Sequence, residues 1–266
     1  MNRDEISNGL TAFIDILGFS EKVKQTKSLE EIFEIKNQIQ KIQDIFEHNA
    51  TQGSVYESHK ALNKSVLAFS DCIAIHVPFK SDATDVSGTF DPFMLEFIGL
   101  ALSQGQSVFN SIFIRGGIDI GWWYHSGSTL ISNGLVNSVK REAAAVVPVI
   151  ALCDDLYDFF CKHEDRKCFD EARDPIKAMF REYNSGREHF FYLDYIFICL
   201  DNLMGSRINN TLFDPESWLY DHARVIEKVA KEAPNEHVFR KYQWLANYHN
   251  EVAEDFTDKE RCFCKV

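Results

Sequence analysis

Apolar and polar positions change period several times along the chain, and each change predicts an element. Residues Leu10–Leu17 alternate as a strand, with Ala12, Ile14 and Ile16 on one face and Phe13, Asp15 and Leu17 on the other. From about Ser28 to Phe46, the residues Ile32, Ile35, Ile39, Ile42 and Phe46 recur at helical spacing. The polar stretch 48–64, "HNATQGSVYESHKALNK", reads as a loop. Two apolar runs follow, "SVLAF" and "CIAIHV", and Ser70-Asp71 between them predicts a tight hairpin. The segment "KSDATDVSGTFDP" reads as a turn-rich loop, Phe93 to about Asn110 as a helix, and "SIFIRGGIDIGWWY" as a strand. A Gly/Ser loop "HSGSTLISNG", a helix from Leu135 to Val147 and a short strand "PVIAL" complete this half. From Cys153 onward the pattern is mostly helical, apart from the aromatic strand "FFYLDYIFICL". The order predicts an α+β fold, an α/β sandwich with a ferredoxin-like βαββαβ core and a mixed or antiparallel sheet. Residues 1–152 are expected to form that core, and 153–266 a mostly helical extension packed on it.

Size and composition narrow what such a fold can do. The 266 residues are 45% hydrophobic and 26% charged, enough to bury a sizeable core, and 22 phenylalanines make that core aromatic-rich. A formal net charge of −12 argues against a groove that tracks DNA or RNA phosphates. It leaves room for a small triphosphate held through metal ions. The seven cysteines form no C-x-x-C pair, which fits reduced thiols in a cytosolic protein. The opening "MNRDEISNG" is polar and acidic, unlike a signal peptide. Apolar stretches such as "AAAVVPVIAL" are shorter than the roughly 18 residues of a membrane span. A soluble, cytoplasmic protein is expected, with neither nucleic acid nor membrane as partner.

Against this background the acidic residues inside apolar runs are conspicuous. Asp15 lies between Phe13 and Leu17 on its strand face, and Asp71 between Phe69 and Ile73 at the hairpin. An unpaired buried carboxylate costs several kcal/mol unless it is neutralised or bound to a cation. Two carboxylates from neighbouring strands can converge to hold Mg²⁺ or Mn²⁺, hard cations that prefer oxygen ligands. Singly, Asp71 reads equally well as a turn residue and Asp15 as a strand-end helix cap; together the metal reading is preferred. Gly18 lets the chain turn sharply after the strand, with Ser20 as a candidate N-cap, so free amides there suit a phosphate. On the later strand Phe113, Arg115, Gly117, Asp119 and Gly121 share a face, an open shelf with a cation at its edge. The plain alternative is a surface Arg–Asp pair. Asn137 and Arg141, four apart, share a helix face that either grips a ribose and triphosphate or is simply solvated.

The segments "FIDILGFSE", "VLAFSDCIAI", "FIRGGIDIG" and "GLVNSVKRE" resemble the class III nucleotidyl cyclase catalytic domain over roughly residues 10–152. They are most similar to the pyrimidine cyclases of bacterial Pycsar anti-phage systems, which add a helical C-terminal part. The resemblance implies two divalent ions, Mn²⁺ or Mg²⁺, held by Asp15, Asp71 and the carbonyl of Ile16. It implies substrate contacts from Gly18, Phe19, Ser20 and Arg115, and catalytic roles for Arg115, Asn137 and Arg141. The Asn–Arg match requires one residue fewer between Gly134 and Asn137, and Lys140 is an alternative cation. A base-reading lysine or glutamate of purine cyclases is replaced by Leu67, and a second polar reader by Ile131, which favours a smaller base. The implied reaction is UTP to 3′,5′-cyclic UMP and pyrophosphate, in a homodimer with sites at its interface and a separate cyclic-nucleotide-responsive effector. Alternatives are CTP to cyclic CMP, and a catalytically inactive cyclase-like domain that binds a nucleotide or a partner.

Overall fold

The computed structural model describes residues 6–51, 60–169, 174–208 and 211–266. In chain order the first elements are β1 (Ile6–Ile16), α1 (Phe19–Gln25), α2 (Leu29–Thr51), β2 (Ser65–Phe69) and β3 (Cys72–Pro78). Next come α3 (Asp82–Ser87), α4 (Phe90–Phe109), β4 (Ile114–Ser126), β5 (Thr129–Ser132), α5 (Asn133–Ala144) and β6 (Ile150–Leu152). The rest comprises α6 (Asp154–Lys162), α7 (Pro175–Met179), β7 (Phe180–Asn184), β8 (His189–Leu193), α8 (Tyr195–Leu203), the short pair β9 (Arg207–Ile208) and β10 (Thr211–Leu212), α9 (Pro215–Lys231) and α10 (Glu236–Ala253).

The first four long strands line up as β2-β3-β1-β4, the order of a ferredoxin-like βαββαβ unit. β1 is antiparallel to both neighbours, with Asp15 opposite Cys72 on β3 and opposite Arg115 on β4. β6 runs parallel to β4, β8 is antiparallel to β6 and β7 antiparallel to β8 in the same sheet, giving a mixed-sheet α+β fold. Strands from both halves of the chain therefore share one sheet.

Strand alternation separates two chemistries. Leu10, Ala12, Ile14 and Ile16 face the same way as Ile73, Ile75, Val77 and Ile118, and join Ile42, Phe46, Phe93 and Phe97 of α2 and α4 in the core. The opposite face carries Thr11, Asp15, Arg115, Gly117, Asp119 and Gly121, and α5 lies directly on it. Gly134, Ser138 and Glu142, spaced one turn apart, are its buried stripe. Ser138 Oγ donates to the Thr11 and Gly134 carbonyl oxygens at 2.9 and 2.8 Å. A Cβ on Gly117 would overlap the Ser138 carbonyl, and one on Gly121 would lie 2.5 Å from the Gly134 nitrogen. The expected open shelf is thus filled. The bare positions admit a helix backbone.

Several segments differ from their sequence reading. Of the polar stretch 48–64, α2 runs on to Thr51, Lys60 and Ala61 are helical, and 52–59 lie outside the described residues. The segment 80–92 contains α3, closed by a reciprocal Ser81–Thr84 capping box, and the Gly/Ser loop contains β5, paired with β4. The aromatic strand stops at Leu193, because the Asp194 carboxylate accepts from the Phe197 amide at 3.1 Å and starts α8.

The C-terminal helices enclose a directed hydrogen-bond chain. The Cys262 carbonyl can only accept, so His249 Nε2 donates to it at 2.8 Å and His249 Nδ1 must accept. His222 Nδ1 then donates to His249 Nδ1 at 2.9 Å, and Tyr195 OH donates to His222 Nε2 at 2.9 Å. Both imidazoles are neutral in this arrangement. Burial holds His222 well below its usual range and His249 down at about 4. The unfolded chain binds these protons near pH 6.5, so stability is full above that pH and is lost as pH falls toward 4. At pH 5 the loss from His249 is about 2 kcal/mol, and His222 acts in the same direction. Urea midpoints at pH 7 and pH 5 check this: the wild type is expected to weaken at pH 5, and His249→Gln to weaken less.

Candidate active site

β1 ends at Ile16 because Gly18 takes a left-handed φ of 81°, which starts α1. Gly18 occupies the N-cap position, so Ser20 lies inside the helix instead of capping it, and a Cβ at Gly18 would meet open space. This glycine serves the turn. Phe19 packs against the core, whereas Gly18 and Ser20 are exposed beside the strand end. The second acidic group comes from the two-residue turn between β2 and β3, where Ser70 adopts a φ of 54°. Phe69 at that turn is 82% exposed, and Asp71 is half-buried.

The ladder register brings these two loops together. Ligand atoms of Asp15, Asp71 and Cys72 all lie within 4.8 Å of one another. The Cys72 thiol donates to Asp15 Oδ1 at 3.5 Å and lies 3.9 Å from Asp71 Oδ1. Burial, then the hydrogen bond and charge of Asp71, then the charge of Glu142, push the Asp15 carboxyl up to about 7. Burial and the two aspartates push Cys72 up to about 12, so it stays a neutral thiol. Among the described residues neither aspartate has a lysine, arginine or histidine partner. Two clustered carboxylates that repel each other and lack a cationic side chain fit a hard divalent ion such as Mn²⁺ or Mg²⁺.

Arg115 reaches this end of the sheet from β4, but its guanidinium is engaged. Nε and Nη2 both pair with Glu142 Oε1, and Nη1 donates to the Ala145 carbonyl at 3.2 Å. The pair is sheltered, with side-chain exposures of 20% and 7%. Neither the open shelf nor the Arg–Asp surface pair describes it; the partner is an acidic residue of α5.

Asn137 and Arg141 belong to a different cluster. Asn137 Nδ2 donates to Asp119 Oδ2 at 2.7 Å, and burial raises the Asp119 carboxyl against that bond. Arg141 pairs with Asp154 at 3.4 Å, its guanidinium 5.9 Å above the Phe190 ring; Lys140 is exposed. Asp119 lies four residues along β4 from Arg115, about 13 Å at the rise of a strand. One chain therefore brings the Asp15 and Asp71 carboxylates together, next to Ile16 in sequence and with Arg115 opposite Asp15 in the ladder, while Asn137 and Arg141 belong to a separate cluster. Cys72 and Glu142 were missed from sequence; the position beside Asp71 was the one available signal for Cys72. A cavity of about 440 Å³ lined by Lys162, His163, Arg166 and Lys177 shares no residue with either cluster. No helix among the described residues is long and apolar enough to cross a membrane.

No family model and no curated protein matches the chain. Solved structures similar to it include nucleotidyl cyclase domains. The adenylyl cyclase CyaB from P. aeruginosa is 14% identical with a TM-score of 0.41, over 71% of this chain and 93% of that one. The monomeric guanylyl cyclase domain of the RhoGC fusion protein from the aquatic fungus Blastocladiella emersonii is 13% identical with a TM-score of 0.44, over 71% and 96%. A class III adenylyl cyclase-like ATP-binding protein from Pseudomonas aeruginosa is 13% identical with a TM-score of 0.39, over 63% of this chain and 37% of that one.

Proposed function

We propose that this chain is a pyrimidine nucleotide cyclase that converts UTP to 3′,5′-cyclic UMP and pyrophosphate. The observation that carries the reading is the Asp15–Asp71 pair, two converging carboxylates with no cationic side chain bound to them among the described residues. Asp15, Asp71 and the Ile16 carbonyl would hold the divalent ions. When bound, they supply Lewis acidity that acidifies a ribose hydroxyl and neutralises phosphate charge. In the reaction the 3′-oxygen forms a bond to the α-phosphorus, the bond to the pyrophosphate oxygen breaks, and the hydroxyl proton is released to solvent. Arg115 orients the triphosphate from the edge of the same cluster, and Gly18, Phe19 and Ser20 border it.

Leu67 and Ile131 support the smaller base, since both are apolar and Ile131 is 50% exposed, offering a purine no hydrogen-bond partner. The separation of Asn137 and Arg141 from the aspartates supports a site shared by two antiparallel protomers. Trp122, Ile131, Val136 and Val139, exposed on the β4–β5 hairpin and α5, supply apolar surface for that homodimer. The resemblance of its motifs extends the reading to a second messenger of anti-phage defence, read by a separate effector.

Incubating the protein with each of the four NTPs and Mn²⁺ tests the activity. Cyclic UMP supports the reading and cyclic CMP replaces the base; tight nucleotide binding without any cyclic product makes the chain a binding module. The role of Arg115 is tested with Arg115→Met combined with Glu142→Gln, which removes the ion pair without leaving a buried charge. Turnover is expected to fall about 100-fold while the melting temperature stays near that of the wild type. Unchanged turnover would reduce the pair to a structural brace.

A further inference from the structure

The C-terminal extension reaches the acidic end of the sheet through one lysine. Lys241 lies on α10 one turn before Leu245, in line with Tyr248 and Val252, so it continues the buried stripe of that helix. Its neighbour Tyr242 packs edge-on against Phe113 at 5.0 Å, and Phe113 stands two residues before Arg115 on the same strand face. Lys241 is consequently half-buried and within charge range of both Arg115 and Glu142.

Among the described residues nothing pairs with a cation there. Glu142, the carboxylate nearest to hand, is already bound by two nitrogens of Arg115. Among the described residues Lys241 makes no hydrogen bond or ion pair. Burial and the Arg115 charge both weaken its hold on a proton, with Glu142 opposing them. A half-buried ammonium beside a guanidinium is stabilised by an anion from outside, and the same Glu142 senses Asp15 on the other side.

We propose that Lys241 is a binding residue for the polyphosphate tail of the nucleotide, so that the C-terminal extension completes the site instead of only buttressing the sheet. The inference rests on the site reading given under Proposed function. Arg115 and Lys241 form a two-cation edge, one from β4 and one from α10, on either side of the charge of Glu142, which also acts on Asp15. An ordinary structural lysine would affect stability; this one affects affinity for phosphates.

The test uses inorganic tripolyphosphate with Mg²⁺ as the probe, measured by calorimetry on the full chain. Lys241→Met is expected to weaken tripolyphosphate binding about tenfold with the melting temperature within about 2 °C of the wild type. Lys241→Arg is expected to restore most of the affinity, and with a nucleotide substrate the loss is expected in KM more than in kcat. If Lys241→Met misfolds, acylation of Lys241 in the wild type, read by mass spectrometry, should be slowed by tripolyphosphate. Wild-type affinity in Lys241→Met, or acylation indifferent to the probe, overturns the inference and leaves the metal reading standing. Loss of probe binding in Asp71→Asn but not in Lys241→Met overturns it in the same way. A wild type that binds no tripolyphosphate removes both.

Discussion

Asp71→Ala is expected to lower turnover by about 10³-fold or more while leaving the melting temperature of the metal-free protein within about 2 °C of the wild type. The asymmetry follows from where the residue sits. Asp71 is half-buried in a two-residue turn, with an exposed Phe69 before it, so its side chain packs little of the core. Its charge and hydrogen bond are nevertheless among the main reasons that Asp15 resists ionisation. Alanine removes one of the two proposed carboxylate ligands and relieves that repulsion, so the apo fold gains slightly while the cation site loses half its charge. Steady-state turnover with Mn²⁺ and a melting curve without metal separate the two effects. Wild-type turnover in Asp71→Ala would remove the metal assignment.

Gly117→Ala is expected to destabilise the protein strongly. The new Cβ would overlap the Ser138 carbonyl and crowd the Glu142 amide at 2.9 Å, both of them helix backbone that cannot rotate away. α5 must lift as a body, which loosens the Ser138–Thr11 hydrogen bond and the Arg115–Glu142 pair together. The cost is about 3 kcal/mol or more, a fall of about 6–12 °C in melting temperature for a chain of this size. Gly18→Ala offers a contrast, because its strain comes from a positive φ and no neighbour lies within 4 Å. A Gly117→Ala protein as stable as the wild type would mean that α5 does not rest on β4.

The parts of the site that were legible in sequence are those set by local rules. Strand alternation put Asp15 on the face opposite Ile14 and Ile16, and two polar residues between apolar runs put Asp71 in a hairpin turn. Glycines at 117 and 121 announced a close approach, yet composition alone does not distinguish a ligand from a helix, and the helix is what arrives. Arg115 was recognisable as a cation on the glycine-bearing face; its partner Glu142 was not, because ion pairing depends on how α5 crosses the sheet. The N-cap was misplaced for a related reason: Ser20 has the right chemistry, but Gly18 has the backbone freedom the turn requires. Lys241 was invisible altogether, since it takes the packing of Tyr242 on Phe113 to bring α10 to the start of β4.

Asp15 and Asp71 together are proposed to hold a divalent cation. The most direct measurement is a Mn²⁺ titration followed by electron paramagnetic resonance, where bound ion is lost from the free-ion signal, with UTP present and absent. The account expects binding by the wild type that tightens with UTP, and its loss in Asp15→Asn and in Asp71→Asn. Mn²⁺ uptake by the doubly substituted chain equal to that of the wild type would contradict it.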